Sequence, residues 1–282
     1  MADLPDLFDL NGRVAVVTGG SGFLGTEFCR ALAIAGARVV VADVNHQAAV
    51  ALANSLNRLA PPSIANESMP RALAVKTDVT KINSVSQMVD ATLETFGRLD
   101  ILVNSAALDP KFDPDRAGIH TNSFESYPLE AWNQALEVNL TSMFLCCQAA
   151  VPPMLEQSKG VIINVCSIYG LVGPDQRIYQ REGAPAQYKP VYYSVTKAGV
   201  LGLTRYLATY YAGRNVRVNA LSPGGVYNDH DESFVQAYSA RAVLGRMADK
   251  NEMNGALLFL ASDASSYMTG ANLVLDGGWT AW

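Results

Sequence analysis

The chain has 282 residues, of which 49% are hydrophobic and 17% are charged. This composition predicts a folded protein with a substantial core and excludes an intrinsically disordered chain. The net charge of −5 argues against general binding to nucleic acid or to an anionic membrane. We expect neither a membrane span nor a secretory signal, because no fully apolar run of about 18 residues or basic N-terminal region occurs. A cytoplasmic protein is therefore predicted.

The cysteines and histidines show no spacing typical of metal or disulfide chemistry. The cysteines lie in apolar periodic segments, at Cys29, Cys146, Cys147 and Cys166. We interpret them as reduced core thiols, which suits the cytoplasm. The three histidines are scattered along the chain, at His46, His120 and His230. We therefore predict no metal site.

Apolar, β-branched runs alternate with helical patterns along the chain. Strands are predicted at 14–17, 38–42, 72–75, 100–103, 161–165, 216–220 and 273–275. Helices are predicted at about 23–35, 46–58, 82–96, 129–157, 191–213 and 251–261. The strand runs are near-continuous, which is typical of a parallel sheet covered on both faces. The pattern predicts a single α/β domain over residues 1–282, with a doubly wound parallel sheet in three layers, as in the Rossmann fold.

Two long irregular segments follow predicted strands and are candidates for a ligand site. Segment 108–128 follows the fourth strand, and segment 169–189 follows the fifth. Ligands of open parallel sheets bind beyond the carboxyl ends of the strands, where both segments begin. We expect both to be functional, although such loops also occur as surface elaboration. Segment 60–70 is interpreted as a surface connection.

A glycine-rich turn, Thr18-Gly-Gly-Ser-Gly-Phe-Leu-Gly25, joins the first predicted strand to the first helix. Glycines let a pyrophosphate approach the backbone amides, and the helix N-terminus adds partial positive charge. Asp43 closes the second predicted strand, where a carboxylate can accept both hydroxyls of an adenosine ribose and would repel a 2′-phosphate. NAD(H) is therefore predicted in preference to NADP(H). Alternatively, Asp43 caps the helix that begins near His46.

A tyrosine and a lysine, Tyr193 and Lys197, lie four residues apart on one face of a predicted helix. The pair alone is weak, because such pairs also arise by chance. Ser167 follows the fifth predicted strand, and Asn139 lies within a long apolar helix. In a doubly wound sheet these elements converge beside the nucleotide site, so the four side chains are candidate catalytic residues.

The glycine turn, Asp43 and the candidate catalytic residues, together with five further motifs, follow one another as in the short-chain dehydrogenases/reductases. The sequence resembles this family along nearly the whole chain. The other motifs that carry the resemblance are Asp78-Val79, Asn104-Ser-Ala-Ala107, Val138-Asn139, Pro223-Gly-Gly-Val226 and Asp276-Gly-Gly278. The resemblance implies a homologous fold, a nicotinamide cofactor and a catalytic tetrad. The implied tetrad consists of Asn139, Ser167, Tyr193 and Lys197.

The chemistry of hydride transfer indicates what each member of such a tetrad does. Hydride exchange between a carbinol carbon and nicotinamide requires a proton to move at the oxygen. Lowering a tyrosine pKa from about 10 to about 7 needs about 4 kcal/mol. The attraction between the ionised phenol and one cation about 4 Å away is of the same order. We therefore expect Lys197 to make Tyr193 the general acid and base, and Ser167 to stabilise charge on the substrate oxygen. By resemblance, Asn139 holds a water that connects Lys197 to solvent.

The resemblance also assigns cofactor contacts. Those at the phosphate turn are Gly19, Ser21, Gly22, Phe23, Leu24 and Gly25, and those near the nicotinamide are Tyr193, Lys197, Pro223, Gly224 and Val226. Asp78 and Val79 are expected at the adenine. Asn104 is expected to support the central strand, and Ala106 to line the ribose. The residues themselves leave a second interpretation open, in which Asp78 and Asn104 satisfy backbone groups at strand ends.

Two features depart from the family pattern. Phe23 stands where a glycine is common, and this glycine spacing is more typical of the extended branch, which includes sugar-nucleotide epimerases and dehydratases. The short length and the Asp276-Gly-Gly278 ending favour the single-domain branch. The interval between Ser167 and Tyr193 is about twice the family's usual one, which makes segment 170–189 an insertion beside the site.

The insertion and the 108–128 loop predict a polar rim around the substrate. The candidate substrate contacts are Lys111, Tyr169, Arg177 and Tyr188, with Asp109 beside them. Such a rim suits a polyhydroxylated or anionic substrate, because a steroid would leave the polar groups unpaired. Alternatively, the insertion serves oligomer contacts. Segment 227–246 is predicted to form a lid over the substrate.

The sequence predicts an NAD(H)-dependent oxidoreductase that interconverts a secondary alcohol and a ketone, with a carbohydrate-like or sugar-acid substrate. The alternatives are a sugar epimerase or dehydratase that retains NAD, and a non-catalytic NAD-binding scaffold. By resemblance, a homotetramer or homodimer forms through helices 129–157 and 191–213 and the C-terminal strand. Trp279 and Trp282 are interpreted as packing residues or as contacts with a neighbouring subunit.

Overall fold

A single parallel sheet organises the protein. The computed structural model describes residues 4–59, 69–109, 122–183 and 185–282. Within these ranges the strands are β1 (Val14–Thr18), β2 (Arg38–Asp43), β3 (Ala72–Lys76), β4 (Ile101–Asn104), β5 (Gly160–Val165), β6 (Val216–Pro223) and β7 (Asn272–Leu275). They pair in parallel in the order β3-β2-β1-β4-β5-β6-β7. The predicted doubly wound sheet is confirmed.

Helices connect the strands. Those in the described ranges are α1 (Phe23–Ile34), α2 (His46–Asn57), α3 (Ile82–Phe96), α4 (Leu129–Leu136), α5 (Ser142–Glu156), α6 (Val191–Tyr210), α7 (Glu232–Ser239) and α8 (Asn254–Ala261). The predicted helix 129–157 is divided by a π-helical turn, Glu137–Thr141, between α4 and α5. The predicted helix 251–261 begins later as an α-helix, because Lys250–Met253 forms a 3-10 turn. Helix α7 lies inside the segment predicted as a lid.

The two faces of the sheet are both buried, which accounts for the near-continuous apolar strands. Along β1, Ala15 and Val17 face the core formed with α1, α2 and α8, whereas Val14 and Val16 face the core formed with α3, α5 and α6. Side chains alternate across a strand, so a strand covered on both sides is apolar at every position. The three-layer prediction is confirmed.

One helical stretch of the described residues, Leu129–Glu156, has the length and composition of a membrane span. Its residues Cys146, Ala150 and Met154 are buried against the sheet. A helix that packs this way in the interior of the fold is a core helix rather than a span.

The strand order reverses between β1 and β4, and this reversal positions the site. The chain passes from β1 outward to β2 and β3, and then returns to β4 on the other side of β1. Thr18 and Asn104 are register partners at the carboxyl ends of β1 and β4. A crevice opens at such a switch point, because the helices after the two strands diverge to opposite faces.

Candidate active site

The glycine-rich turn between β1 and α1 is tightly closed on itself. Gly19 has a φ of +62°, in the left-handed region that favours glycine. A Cβ at Gly25 would lie 2.0 Å from the Gly19 carbonyl oxygen. Only glycine therefore fits at position 25, and the first turn of α1 lies directly against the loop.

The N-terminus of α1 is open for an anion. Its N-cap residue is Gly22, which has no side chain to accept hydrogen bonds from the first amides of the helix. These amides belong to Phe23, Leu24 and Gly25, and the first helical bond is formed only by the Thr26 amide, donating to Gly22. Free amides at a helix N-terminus bind phosphate, so the turn fits the pyrophosphate of a dinucleotide.

Asp43 lies at the end of β2, facing this turn. Its Oδ2 accepts a hydrogen bond of 3.0 Å from the Ser21 amide, and its Oδ1 accepts one of 2.9 Å from the Asn45 amide. The N-cap of α2 is Asn45, whose side chain accepts from the Ala48 amide. The alternative reading of Asp43 as the helix cap is therefore wrong, and its carboxylate is fixed at the edge of the crevice.

Three further residues, Asp78, Val79 and Ala106, were expected at the adenosine. The Asp78 carboxylate accepts from the Thr80 amide and hydroxyl, and these hydrogen bonds lower the pKa of Asp78. Val79 is buried in the core. The backbone of Ala106 closes on the turn, since a Cβ at Gly19 would lie 2.8 Å from the Ala106 Cα.

Asn104 joins two strands beneath the crevice. Its Nδ2 donates 2.9 Å to Asn164 Oδ1 on β5, and the Asn164 amide in turn donates 3.0 Å to Thr204 Oγ1 on α6. The side chain thus links the ends of β4 and β5 to α6. This placement agrees with a supporting role for the central strand.

The segment after β6 presents a free backbone edge. Tyr227 donates from its amide to Ala248, and the Ala248 amide donates to Gly225. The two bonds flank Val226, so its own N–H and C=O face away from Ala248. Pro223 ends β6, and the Gly224 amide donates 2.8 Å to Leu275.

Ser167, Tyr193 and Lys197 are brought together between β5 and α6. Ser167 follows β5, and Tyr193 lies in the first turn of α6. The loop after β5 packs directly on α6, because a Cβ at Gly170 would lie 2.7 Å from the Lys197 carbonyl. Ser167 acts on the Tyr193 phenol in the direction that lowers its pKa, and the Lys197 Nζ lies 5.7 Å from the centre of the Tyr193 ring.

The electrostatics of this cluster differ from the simple expectation. Burial raises the pKa of Tyr193 well above its ordinary value, and Ser167 opposes the rise only partly. Burial also lowers the pKa of Lys197, whose Nζ donates 2.9 Å to the Val165 carbonyl. In the protein alone, burial is therefore the main influence on the pKa values of both Tyr193 and Lys197.

Asn139 is hydrogen-bonded to the loop that follows β4. It is fully buried in the π-helical turn, its Oδ1 accepts 2.6 Å from the Leu108 amide, and its Nδ2 donates 3.0 Å to the Leu108 carbonyl. Both polar groups of the side chain are thus occupied by one backbone unit. The side chain positions the start of the 108–128 loop, and the water contact expected at Asn139 stays a prediction.

Lys189 is the cation that the sequence analysis did not single out. Its Nζ lies 4.1 Å from the centre of the Tyr193 ring and forms an ion pair of 2.5 Å with Asp109 Oδ1. Asp109 follows Leu108, the residue fixed by Asn139. The only sequence signal was a lysine near the end of the insertion, four positions before Tyr193.

The predicted substrate residues fall in different places. Tyr169 is buried edge-on to Tyr193, with ring centres 6.4 Å apart, and its hydroxyl accepts 2.9 Å from Tyr179, while burial raises its pKa to about 12. The Arg177 side chain is 85% exposed and pairs with Asp175. Tyr188 is exposed at the rim, and Lys111 lies outside the described residues.

The segment predicted as a lid is fastened to the insertion and to the C-terminal segment. Asp231 caps α7 and pairs at 2.7 Å with Arg181 of the insertion. Tyr238 of α7 stacks at 4.2 Å on Trp279, which is buried. Trp279 is therefore a packing residue, and the Trp282 indole donates 3.1 Å to the Arg241 carbonyl of the same chain.

The side chains that commonly bind metal ions are not clustered in the described part of the chain. Among residues 4–59, 69–109, 122–183 and 185–282, no group of three or more His, Cys, Asp or Glu side chains could hold a metal ion. The cysteines are buried free thiols.

Comparison with known proteins places the chain in a family. A family model described as enoyl-(acyl carrier protein) reductase matches residues 21–280. The chain is 37% identical over 270 residues to a trans-4-hydroxycyclohexanecarboxylate dehydrogenase from Sinomonas cyclohexanicum, covering 95% of this chain and 93% of that one. It is 36% identical over 278 residues to a D-threitol dehydrogenase from Mycolicibacterium smegmatis, covering 97% and 95%.

Solved structures show the same fold. A short-chain type dehydrogenase/reductase from Mycobacterium marinum is 32% identical, with a TM-score of 0.83 and full coverage of both chains. A gluconate 5-dehydrogenase from Burkholderia cenocepacia, solved with NADP and tartrate, is 28% identical, with a TM-score of 0.82 over 99% and 100% of the chains. A short-chain dehydrogenase from Leptospira borgpetersenii with bound NAD⁺ is 31% identical, with a TM-score of 0.79 over 99% and 96%.

A parallel sheet with a phosphate-binding turn at its switch point defines the class of dinucleotide-dependent oxidoreductases. Within that class, the chain belongs to the short-chain dehydrogenase/reductase family. The resemblance stated from the sequence is confirmed. The protein is an oxidoreductase that acts on CH–OH groups with a nicotinamide dinucleotide.

Proposed function

We propose that this protein is an NAD(H)-dependent dehydrogenase that interconverts a polar secondary alcohol and its ketone, with Tyr193 as the general acid and base. The observation that carries the proposal is the cluster of Ser167, Tyr193 and Lys197 at the carboxyl edge of β5. A hydroxyl donor, an acidic hydroxyl and a cation in one buried place are what carbonyl–alcohol exchange requires.

The preference for NAD(H) is supported by Asp43. Its carboxylate is held at the end of β2 by the Ser21 and Asn45 amides, beside the phosphate turn. There it can accept the hydroxyls of an adenosine ribose, and its negative charge repels a 2′-phosphate. The solved relatives include one bound to NAD⁺ and one bound to NADP, so the discrimination rests on this chain's own carboxylate.

The cofactor would be held along the crevice by the residues described above. The amides at the N-terminus of α1 would bind the pyrophosphate, and the free backbone edge of Val226 would bind the carboxamide. When bound, the nicotinamide supplies the carbon that exchanges the hydride, and its oxidised form adds positive charge beside the phenol. That charge offsets the effect of burial on the pKa of Tyr193.

The protein's own groups then manage the proton. In alcohol oxidation, Tyr193 accepts the hydroxyl proton of the substrate, and in ketone reduction it returns a proton to the oxygen. Ser167 donates a hydrogen bond to the same oxygen and stabilises the negative charge that develops there. Lys197 anchors the end of β5 through Val165 and keeps a positive charge near the phenol.

The substrate is proposed to carry hydroxyl or carboxylate groups besides the reacting one. The site is bordered by the tyrosines at 169 and 188 and by the Lys189–Asp109 ion pair. An apolar substrate would displace water from these polar groups without offering them hydrogen bonds in return, at a cost in binding. Relatives named for D-threitol and for a hydroxycyclohexanecarboxylate support small polar substrates.

We also propose a cytoplasmic homodimer or homotetramer. Apolar side chains remain exposed on α5 and α6, among them Phe144, Val195, Tyr206 and Tyr210. Covering such a surface with a second copy would remove it from water. The buried free thiols suit a reducing compartment. Light scattering at several concentrations tests the assembly, and a monomer at every concentration would contradict it.

A substrate panel with both cofactors tests the proposed function. The panel contains tetritols, sugar acids, cis- and trans-4-hydroxycyclohexanecarboxylate, cyclic diols and a hydroxysteroid, each with NAD⁺ or NADP⁺, read as absorbance at 340 nm. We expect turnover of at least one polar alcohol, with kcat/KM higher for NAD⁺ than for NADP⁺. Turnover of the steroid alone, or a preference for NADP⁺, would contradict the corresponding part of the proposal.

A further inference from the structure

A second cation lies on the catalytic tyrosine, from an element that is not part of the tetrad. Lys189 comes from the end of the insertion, and its Nζ stands 4.1 Å from the centre of the Tyr193 ring. The Lys197 Nζ is farther away, at 5.7 Å, and is occupied by the Val165 carbonyl. Of the two ammonium groups, the one supplied by the insertion is therefore the nearer to the centre of the Tyr193 ring.

Lys189 is held in place through its backbone as well as its side chain. Gln176 accepts 2.8 Å from the Lys189 amide and donates 3.3 Å to its carbonyl, so two ends of the insertion are tied together. Only 12% of the Lys189 side chain is exposed. A long lysine side chain fixed this firmly keeps its charge at one position, whereas a free surface lysine does not.

The charge of Lys189 is balanced by a carboxylate whose position is also fixed. Asp109 pairs with the Lys189 Nζ at 2.5 Å, and its side chain is 52% exposed. The preceding residue, Leu108, is bound through both backbone groups to Asn139. Asn139, Asp109, Lys189 and Tyr193 thus form a connected series, in which the Asn139 side chain positions the residue before the counter-ion.

We propose that Lys189 and Asp109 act as an opposed pair of positioning residues that set the acidity of the Tyr193 hydroxyl, Lys189 favouring the phenolate and Asp109 opposing it. The inference rests on the proposed role of Tyr193 as acid and base. A cation within about 4–6 Å favours an ionised group, and an anion at similar range disfavours it. The charge of Asp109 does raise the pKa of Tyr193.

The other groups that face Tyr193 come from three elements. They are Lys197 on α6, Cys166, Ser167 and Tyr169 after β5, and Tyr179 in the insertion. Of these only Lys197 is a cation, and burial lowers its pKa. Removing Lys189 or Asp109 therefore changes the charge at the phenol without altering the tetrad.

The pH dependence of alcohol oxidation distinguishes this role from a structural one. The most active alcohol of the panel described above is used with saturating NAD⁺, and kcat/KM is measured across pH. We expect Lys189→Met to move the midpoint upward by about one pH unit or more, and Asp109→Asn to move it downward. Lys189→Arg should restore the wild-type midpoint. If the ion pair only fastened the loop, Lys189→Met and Asp109→Asn would have the same effect on the midpoint. Midpoints that shift in the same direction in both variants, or that do not shift, would therefore overturn the inference.

Controls separate this result from folding and from the proposed function. Lys159 directly precedes β5, at the end of that strand away from Ser167, and it pairs with Asp263 at 3.2 Å. Lys159→Met should therefore leave the midpoint unchanged. Tyr193 can also be followed without substrate, by ¹³Cζ-tyrosine NMR of the NAD⁺-saturated protein, with Tyr193→Phe identifying its signal. Because Asp109 is half exposed, Asp109→Asn should fold even if a Lys189 variant does not, and an unchanged or raised midpoint in Asp109→Asn alone would overturn the inference. An active Tyr193→Phe protein would overturn the proposed function itself; an inactive one with no opposed shifts would overturn only this inference.

Discussion

The Asp43 carboxylate accepts a hydrogen bond of 3.0 Å from the Ser21 amide, which joins the end of β2 to the glycine turn. Its second oxygen accepts from the Asn45 amide, at the N-cap of α2. The carboxylate is therefore fixed by two backbone groups and needs no rearrangement to receive a ribose. A preorganised acceptor of this kind gives selectivity at a small entropic cost.

Replacing Asp43 should change the choice of cofactor. We expect Asp43→Ala to lower kcat/KM for NAD⁺ by about tenfold or more, because the ribose loses a charged hydrogen-bond acceptor. The relative activity with NADP⁺ should rise, because the repulsive charge is gone. Asp43→Asn is the matched variant, since its amide oxygen can still accept from Ser21. An unchanged ratio of NAD⁺ to NADP⁺ activity in both variants would contradict the ribose assignment.

The glycine at position 25 should be irreplaceable, unlike a glycine elsewhere in a helix. A Cβ at Gly25 would lie 2.0 Å from the Gly19 carbonyl, so Gly25→Ala should distort the turn, weaken NADH binding about tenfold or more and destabilise the fold by about 1–3 kcal/mol. Gly202 in α6 has open space around it, and Gly202→Ala should stabilise the protein by about 0.5–1 kcal/mol. Nucleotide fluorescence and urea unfolding measure both effects. Equal behaviour of the two variants would count against the described turn.

The ion pair that fastens α7 should make stability depend on acid pH. Although burial raises the pKa of Asp231, hydrogen bonds from Arg181, Ser233 and the Phe234 amide bring it to about 2. A lowered pKa stabilises the fold above about pH 4, and this contribution disappears as the pH falls through about 2.

Asp231→Asn tests this dependence while keeping a residue that caps helices well. At pH 7 we expect it to be less stable than the wild type by about 0.5–1 kcal/mol, because the pair with Arg181 is partly exposed. The gap should close between pH 4 and pH 2 in thermal unfolding. Glu232→Gln, which removes a charge from the same helical turn, should show a smaller gap. A difference that persists unchanged at pH 2 would contradict the assigned pair.

The fold was predictable from the sequence because its strands are buried on both faces. Runs such as 14–17 are apolar at every position, a pattern that a parallel sheet between two helical layers requires. The glycine turn and Asp43 were predictable for a similar reason, since a residue type and a place at a strand end together define the contact. Helix α7 was missed because its stability comes from packing of Phe234 and Tyr238 against distant aromatic residues.

The cation beside Tyr193 could not be predicted, because its position depends on how the 170–189 insertion folds back towards α6. Lys189 reaches the ring only because Gln176 binds the Lys189 backbone from the start of the same insertion. Arg177 was an equally plausible cation in the sequence, yet its side chain pairs with Asp175 and is exposed. The partner of the Asn139 side chain, the Leu108 backbone, lies in another loop that no local pattern connects to Asn139.

The identity of the acid and base is tested most directly by Tyr193→Phe, with Tyr192→Phe as its control. Both tyrosines are buried in the first turn of α6, and the Lys189 and Lys197 ammonium groups lie 4.1 and 5.7 Å from the centre of the Tyr193 ring. We expect Tyr193→Phe to lower kcat for the alcohol oxidised best by about 10²–10⁴-fold, with NADH affinity within about twofold of the wild type. Tyr192→Phe should keep most of the activity. Turnover by Tyr193→Phe at the wild-type rate would contradict the account.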